Sequence, residues 1–151
     1  MLLIQGDIVS FDFSQTYLYK MHRLTNSLDQ AFDTALRQHA GIGLSQFTLL
    51  LSVQQHQPAT QSTVARFLDI TPAAVSRQVE LAVKNGWVKV VHKDNDRRTQ
   101  QLRVTSDGKQ KIQTGIEQLE NHVFNVFADN DHQTNLMNHI ETLQRNIDRL
   151  G

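Results

Sequence analysis

Basic side chains in the middle of the sequence have the types and spacing to do chemistry, and that chemistry is the recognition of an anion. Lys93, Arg97 and Arg98 lie within the six residues KDNDRR, and Arg77 lies in the preceding segment TPAAVSRQVE. A guanidinium donates two parallel hydrogen bonds to guanine O6 and N7 or to a phosphate, whereas an ammonium group binds phosphate as a point charge. Residues 60–111 hold ten Lys and Arg against five Asp and Glu, a net charge of +5 within a neutral chain. This asymmetry favours a polyanionic partner.

Other kinds of chemistry have little support in the sequence. The chain has no Cys, which excludes thiolate nucleophiles, disulfides and Cys-ligated zinc. Its seven His residues are scattered, and no two stand three or four residues apart on one helical turn. We find no nucleophile-elbow, phosphate-loop or zinc-protease motif. We therefore predict a protein that is not an enzyme, without a cofactor and without a metal site.

Apolar spacing and capping residues predict the helices that must position the basic side chains. A long amphipathic helix is expected over residues 14–38, and a buried second helix is expected to start at an N-cap, Ser45. Thr60 is suited to cap a short third helix. The pair Thr71-Pro72 starts a fourth helix, because Thr accepts backbone N–H groups and Pro fits the first helical position. Gly86 is its predicted stop.

The second half of the sequence predicts a β-hairpin and two more helices. Residues 87–92 and 100–104 are rich in β-branched side chains and are predicted strands, with the charged stretch as the turn between them. Thr105 is suited to cap a long helix, which a break near residues 128–131 separates from a last helix ending near Leu150. The predicted fold class is mainly α with a small β-hairpin wing, a winged helix-turn-helix.

The whole chain, residues 1–151, is predicted to form a single unit of this kind. Residues 45–104 would be the DNA-binding lobe. Residues 14–38 and 105–150 would be dimerisation helices, because their apolar stripes are too long for one lobe to cover. The sequence therefore predicts a homodimer.

The fourth helix has the composition of a recognition helix. At 100° per residue, one face carries the apolar residues Val75, Val79, Ala82 and Val83. The opposite face begins with small or polar side chains that let a backbone approach the major groove, and it includes an arginine that could contact guanine. The predicted DNA-binding residues are Thr71, Ala73, Ser76 and Arg77 on this helix and Lys93, Arg97 and Arg98 on the wing. Asp96 is predicted to hold an arginine or close the turn, since a carboxylate facing phosphate repels.

Three segments of the sequence resemble the MarR family of bacterial transcription regulators: LSQFTLLLSV, TQSTVARFLDITPAAVSRQVELAVKNGWV and DRRTQQLRVTSDG. The last one is similar to the family's wing signature, through Asp96, Arg98, Leu102, Thr105 and Gly108. The resemblance implies a homodimeric winged-helix repressor that binds double-stranded DNA at a pseudo-palindromic operator. It also implies a small aromatic or anionic effector, whose binding residues the sequence does not identify.

Two alternatives remain open at this stage. One is a winged-helix module that binds a protein partner instead of DNA, and the other is a metal-responsive regulator that uses some of the histidines. The N-terminal segment lacks the basic start and cleavage pattern of a signal peptide, and no apolar run is long enough to span a membrane. We therefore expect no membrane partner and a cytoplasmic location.

Overall fold

The computed structural model describes residues 12–93, 96–127 and 130–150, without the side chains of residues 93, 96–99, 122–127 and 130. In this part of the chain, six α-helices and one antiparallel hairpin follow a short 3-10 turn, Phe13–Gln15. Their bounds are α1 Tyr17–Ala40, α2 Leu44–Gln55, α3 Gln61–Leu68, α4 Pro72–Lys84, β1 Val88–Lys93, β2 Asp96–Val104, α5 Ser106–Phe127 and α6 Asn130–Asp148. The predicted fold class, mainly α with a β-hairpin wing, is confirmed.

The chain divides into two compact units, residues 1–31 and 32–151. In the first unit, Asp12 caps the 3-10 turn by accepting a hydrogen bond from the Ser14 N–H at 2.9 Å. The rings of Phe13 and Tyr19 meet edge to face at 5.6 Å in the same unit. No helix of the described residues is long and apolar enough to cross a membrane.

The second unit is built around α2. The fully buried side chains of Phe47, Leu49, Leu50 and Val53 point into the core from this helix. α2 packs against α3, α4, α5 and β2, so its burial on most sides agrees with the prediction from its apolar sequence. The other elements supply the remaining core residues, which include Leu36, Ala59, Val64, Val75, Val79, Ala82, Val88, Leu102, Val104 and Ile112.

Most predicted helix ends are confirmed. The Thr60 hydroxyl accepts from the Thr63 N–H, and the Thr71 hydroxyl accepts from the Ala74 N–H, both at 3.2 Å. Each hydroxyl satisfies a backbone donor that the first turn of a helix leaves without an intrahelical partner. Gly86 follows the end of α4 with a φ of 75°, a left-handed conformation in which a side chain would be strained.

The predicted cap of α2 is wrong. The helix begins at Leu44, and its N-cap position is Gly43, not Ser45. The Asp33 carboxylate of α1 supplies the missing acceptor, taking a hydrogen bond from the Leu44 N–H at 2.8 Å. Asp33 also accepts from Arg37 Nε at 2.6 Å. The hydrogen bonds from Arg37 and from the Leu44 backbone lower the pKa of Asp33 below its ordinary value.

The hairpin is longer than the sequence predicted. β2 begins at Asp96 and not at Gln100, and Lys93 pairs with Asp96 after a register irregularity between His92 and Lys93. The backbone of the charged stretch therefore belongs mostly to the strands. A further bridge joins Ala59, between α2 and α3, to Leu102 of β2, whose N–H donates to the Ala59 carbonyl at 2.7 Å.

Candidate nucleic-acid interface

Helices α3 and α4 are joined by a tight turn that fixes their relative direction. Asp69 ends α3 in the left-handed conformation, with a φ of 51°. Short polar side chains tolerate this conformation better than most residues do. The Ile70 N–H then donates to the Ala65 carbonyl at 3.1 Å, which closes the last turn of α3. Thr71 and Pro72 start α4 directly afterwards, so the pair of helices forms a helix-turn-helix.

The N-terminal turn of α4 presents small, exposed residues to solvent. Thr71, Pro72 and Ala73 are all exposed. Thr71 was predicted to bind DNA, and its hydroxyl already accepts the cap hydrogen bond from Ala74. The absence of bulky side chains here lets the helix backbone come close to a partner surface.

Arg77 lies on the exposed face of α4, opposite the buried Val75 and Val79. Within the part of the chain that the structure describes, its guanidinium has no hydrogen-bond or ion-pair partner. Ser76 is half-buried, and its hydroxyl donates to Glu80 Oε1 at 3.4 Å. The outward face therefore offers a cation with all its donors available. Val83, which was predicted to face inward, is 40% exposed, whereas the neighbouring Ala82 is buried.

A buried glutamine anchors α4 to the core, which the sequence reasoning missed. Gln46, on the first turn of α2, is 8% exposed, and its Nε2 donates to the Gln78 main-chain carbonyl at 3.2 Å. This contact fixes the middle of α4 next to Arg77. Gln46 stands among other polar residues of α2, such as Ser45 and Thr48, so the sequence did not mark it as buried.

The predicted wing residues lie at the far end of the hairpin. Lys93 ends β1, and Asp96, Arg97 and Arg98 begin β2. Their side chains are outside the described residues, so their contacts with DNA and the orienting role of Asp96 stay predictions. The structure places their backbones at the tip of the wing, which follows α4 directly.

The outer face of the hairpin carries a pair of cations that the sequence reasoning counted only as net charge. Lys89 and Arg103 are Cα partners across the two strands, and both are exposed. The alternate residues on the two strands, Val88, Val90, Leu102 and Val104, point toward the core. The hairpin is therefore apolar on one face and locally basic on the other, as expected for a half-buried antiparallel pair.

Thr105 joins the wing to α5. Its hydroxyl accepts from the Gly108 N–H at 3.1 Å and lies 2.7 Å from the Gly86 carbonyl, to which it can donate. The Thr105 N–H also donates to the Trp87 carbonyl at 3.0 Å. One residue thus caps α5 and holds both ends of the hairpin together.

A cleft of about 450 Å³ opens between the end of α1, the start of β1 and the first turns of α5. Lys111 and Asp107 both line the cleft, and the Lys111 ammonium group donates to the Ala40 carbonyl at 2.6 Å, at the C-terminus of α1. The same nitrogen lies 5.9 Å from the centre of the Trp87 ring. The lining residues are His39, Ala40, Trp87, Asp107, Gln110, Lys111 and Thr114.

The described residues contain no group of three or more His, Asp or Glu side chains that could hold a metal ion. Of the histidines, His56 serves the fold. Its ring contacts the Phe67 ring in a tilted arrangement, with 4.5 Å between centroids and 60° between planes, and Nδ1 is 3.0 Å from the Ser52 carbonyl.

A helix-turn-helix followed by a two-stranded hairpin defines a winged helix-turn-helix fold. Residues 40–99 match a family model described as the MarR family. Over these residues, which hold the helix-turn-helix and most of the wing, the chain is similar to the MarR family. A comparison with curated proteins gave no significant match.

Solved structures of similar fold cover most of the chain. The Mycobacterium tuberculosis regulator MosR, in complex with DNA, is 22% identical, with a TM-score of 0.70 over 90% of this chain and 98% of its own. A MarR/EmrR family regulator from Acinetobacter sp. ADP1 is 18% identical, with a TM-score of 0.78 over 92% and 99%. Staphylococcus aureus MarR, in complex with salicylate and kanamycin, is 15% identical, with a TM-score of 0.78 over 91% and 94%. At these identities, the likeness establishes the fold.

Proposed function

We propose that the protein is a homodimeric, sequence-specific DNA-binding repressor of transcription that responds to a small molecule and acts in the cytoplasm. The observation that carries this proposal is the position of Arg77. It is exposed on the second helix of a helix-turn-helix, has no partner among the described residues and follows a turn of small side chains. An arginine in this position can take guanine O6 and N7 in the major groove.

Each of the other predicted residues has a part in this binding mode. Thr71, Ala73 and Ser76 let α4 enter the groove and contact base edges or phosphates beside Arg77. Lys93, Arg97 and Arg98 would follow a phosphate ridge or enter the minor groove at the wing tip. Asp96 would hold one of the wing arginines in place.

Exposed apolar side chains on the outer helices support the homodimer. In the first unit, α1 exposes Tyr17, Leu18, Met21 and Leu24, with Tyr17 88% exposed. In the second unit, α6 exposes Met137, Ile140, Leu143 and Ile147, and Leu150 is exposed just after the helix ends. An apolar stripe of this length on a monomer marks an interaction surface. A second copy covers it in our proposal, so residues 14–38 and 105–150 dimerise while residues 45–104 bind DNA.

A DNA-binding comparison of matched variants tests the proposal. An operator is first selected from randomised duplexes, and affinities are then measured by fluorescence anisotropy for the operator and for unrelated DNA. Replacing Arg77 with Ala should weaken operator binding by about 1–3 kcal/mol for each lost guanine contact. The difference in affinity between the operator and unrelated DNA should become smaller. Removing Arg97 or Arg98 should weaken binding to both duplexes.

The control is Arg23→Ala, which removes an exposed arginine of α1. It should leave both affinities unchanged. The DNA-binding proposal fails if no duplex is selected, or if the Arg77, Arg97, Arg98 triple alanine variant binds with full affinity. If no duplex is selected and the protein instead binds a protein partner, the result would favour the interaction-module alternative.

For the effector, we propose a planar aromatic anion that binds in the cleft at Lys111. The salicylate complex of the S. aureus structure supports this class of ligand, although it concerns that protein. A carboxylate in the cleft would compete with the Ala40 carbonyl for the Lys111 ammonium group. A bound ligand would thereby weaken a contact between α1 and α5. The ligand would then bind more tightly to the conformation in which this contact is broken, and a ligand response requires such a difference in affinity between two conformations.

A thermal-shift titration with salicylate and other aromatic acids tests the effector site. The midpoint should rise with ligand concentration by mass action. Lys111→Met should abolish the rise, whereas Lys109→Met, which removes an exposed lysine from the same helix, should keep it. A shift that survives Lys111→Met would place the ligand elsewhere, and a shift with zinc alone would favour the metal-responsive alternative.

A further inference from the structure

The two facing cations on the outer surface of the wing have no ion-pair partner among the residues that the structure describes. Lys89 and Arg103 are directly opposed across the antiparallel strands and exposed to solvent. In the described part of the chain, neither forms an ion pair with a carboxylate. Like charges directly opposite each other destabilise a strand pair. This surface therefore carries an unfavourable pair that no carboxylate of the described residues compensates.

The composition of that face shows that the charge is local. The next pair along the same face, Val91 and Gln101, is uncharged and half-buried. Lys89 and Arg103 therefore form an isolated basic doublet near the base of the wing, separate from the cations at its tip. A doublet of this kind suits an anion with closely spaced charges, such as successive phosphates of a nucleic-acid strand.

The length of the wing relates this doublet to bound DNA. Four residues separate Lys89 from Lys93 at the tip, which is about 13 Å at ~3.3 Å per residue. If the tip lies on an operator, as in the proposed function, the flanking duplex can continue past the outer face of the wing. Exposed charges interact over about 8–10 Å at moderate salt, so duplex that bends slightly toward the protein comes within range of the doublet.

We propose that Lys89 and Arg103 bind backbone phosphates of the DNA that flanks the operator, outside the half-site read by α4 and the wing tip. This inference rests on the proposed function, because it requires the tip of the wing to lie on DNA. It assigns the outer wing face to duplex beyond the recognised sequence. The contact adds affinity and salt dependence without adding base preference.

The test compares two duplexes with the same operator. One ends at the outer base pairs of the half-sites, and the other carries about ten further base pairs on each side, one helical turn. Affinity is measured by anisotropy at several salt concentrations. Each protomer contributes two contacts, so a dimer can add up to four. At about −0.9 per phosphate contact, the longer duplex should steepen the log–log salt slope by as much as ~3.6.

The double variant K89Q/R103Q should lose this additional slope on the longer duplex and bind the shorter one as the unsubstituted protein does. The control K89R/R103K keeps both charges and should keep the additional slope. K89E separates function from folding, because it places opposite charges across the strands. Its thermal midpoint should rise while its affinity for the longer duplex falls, whereas a purely structural role would move both in the same direction.

Two results would overturn the inference. Equal salt slopes on the two duplexes for the unsubstituted protein would mean that flanking DNA does not reach the doublet, and an acidic protein partner would then be the remaining occupant. Equal losses on both duplexes in K89Q/R103Q would place the doublet inside the operator contact. If the unsubstituted protein fails to bind the shorter duplex, the proposed function fails and this inference fails with it.

Discussion

Replacing Thr105 with Val removes a single hydroxyl at the junction of the wing and α5. That hydroxyl accepts from the Gly108 N–H at 3.1 Å and can donate to the Gly86 carbonyl at 2.7 Å. Val is close to Thr in size, so the substitution leaves no large cavity. The Thr105 N–H can still donate to the Trp87 carbonyl, because this hydrogen bond uses the main chain. The change therefore isolates the two hydrogen bonds of the side chain.

The expected loss follows from those two hydrogen bonds. Losing an N-cap costs about 0.5–2 kcal/mol, and losing one further hydrogen bond costs about 0.5–1.5 kcal/mol. A total of about 2 kcal/mol corresponds to a melting temperature lower by about 4–8 °C for a chain of this length. The wing also becomes less constrained at its base, so operator affinity should fall with stability.

Urea unfolding and calorimetry measure the free energy of unfolding of Thr105→Val. Thr105→Ser is the control, because it keeps the hydroxyl and removes only the methyl group, and it should lie close to the unsubstituted protein. The reasoning is refuted if the valine variant lies within about 0.5 kcal/mol of the unsubstituted protein, the usual range for a surface change. It is also refuted if the serine variant loses as much stability as the valine variant.

Three further predictions concern the core and its connections. Asp33→Asn should lower the thermal midpoint at neutral pH. Because the pKa of Asp33 is lowered in the fold, the difference in midpoint between this variant and the unsubstituted protein should vanish as pH falls through that pKa. Equal midpoints at neutral pH would contradict this prediction. Gly115→Ala should destabilise the protein by about 1 kcal/mol, because the new Cβ would overlap the Phe47 ring. The cost of this overpacking exceeds the gain in helix propensity from Gly to Ala. Adding Phe47→Leu to the same variant should recover part of the lost free energy of unfolding, measured in urea. Gln46→Met removes both the donor to the Gln78 carbonyl and a buried amide oxygen without a partner in the described chain. The free energy of unfolding should therefore change by less than about 1 kcal/mol, while the ratio of the affinity for the operator to the affinity for unrelated DNA falls. An unchanged ratio would show that Gln46 does not position α4.

The sequence predicted the features that depend on neighbouring residues. Thr60 and Thr71 cap the helices that follow them, and Gly86 ends α4, because the hydrogen bonds and the positive φ at these positions involve residues close in sequence. The order of helices and strands was also predicted, since apolar periodicity is a local property.

Contacts between distant residues were not predictable in the same way. Asp33 lies eleven residues before Leu44 and caps α2, which made the local candidate Ser45 the wrong choice. Lys111 reaches Ala40 across 71 residues. Neither contact leaves a mark on the spacing of apolar residues, so only the packing of α1 against α2 and α5 reveals it.

The candidate nucleic-acid interface shows the same difference between features set by neighbouring residues and features set by distant contacts. Placement of Arg77 on an exposed helical face follows from periodicity, as the structure bears out. The extension of β2 to Asp96 depends on pairing with β1. The first residues of β2 are polar or charged, so their composition did not indicate a strand. The opposition of Lys89 and Arg103 depends on register, which a turn of unknown length leaves undetermined.

The hydrogen bond from the Leu102 N–H to the Ala59 carbonyl, at 2.7 Å, has a mechanical consequence. It ties β2, two residues before its end, to the segment just before α3, so the base of the hairpin is held there as well as through Thr105. The base of the wing is therefore joined to the segment that leads into α3 and α4. In the function proposed above, this connection would couple the position of the wing on the DNA to the position of α4, so that an effector would act by moving one protomer relative to the other.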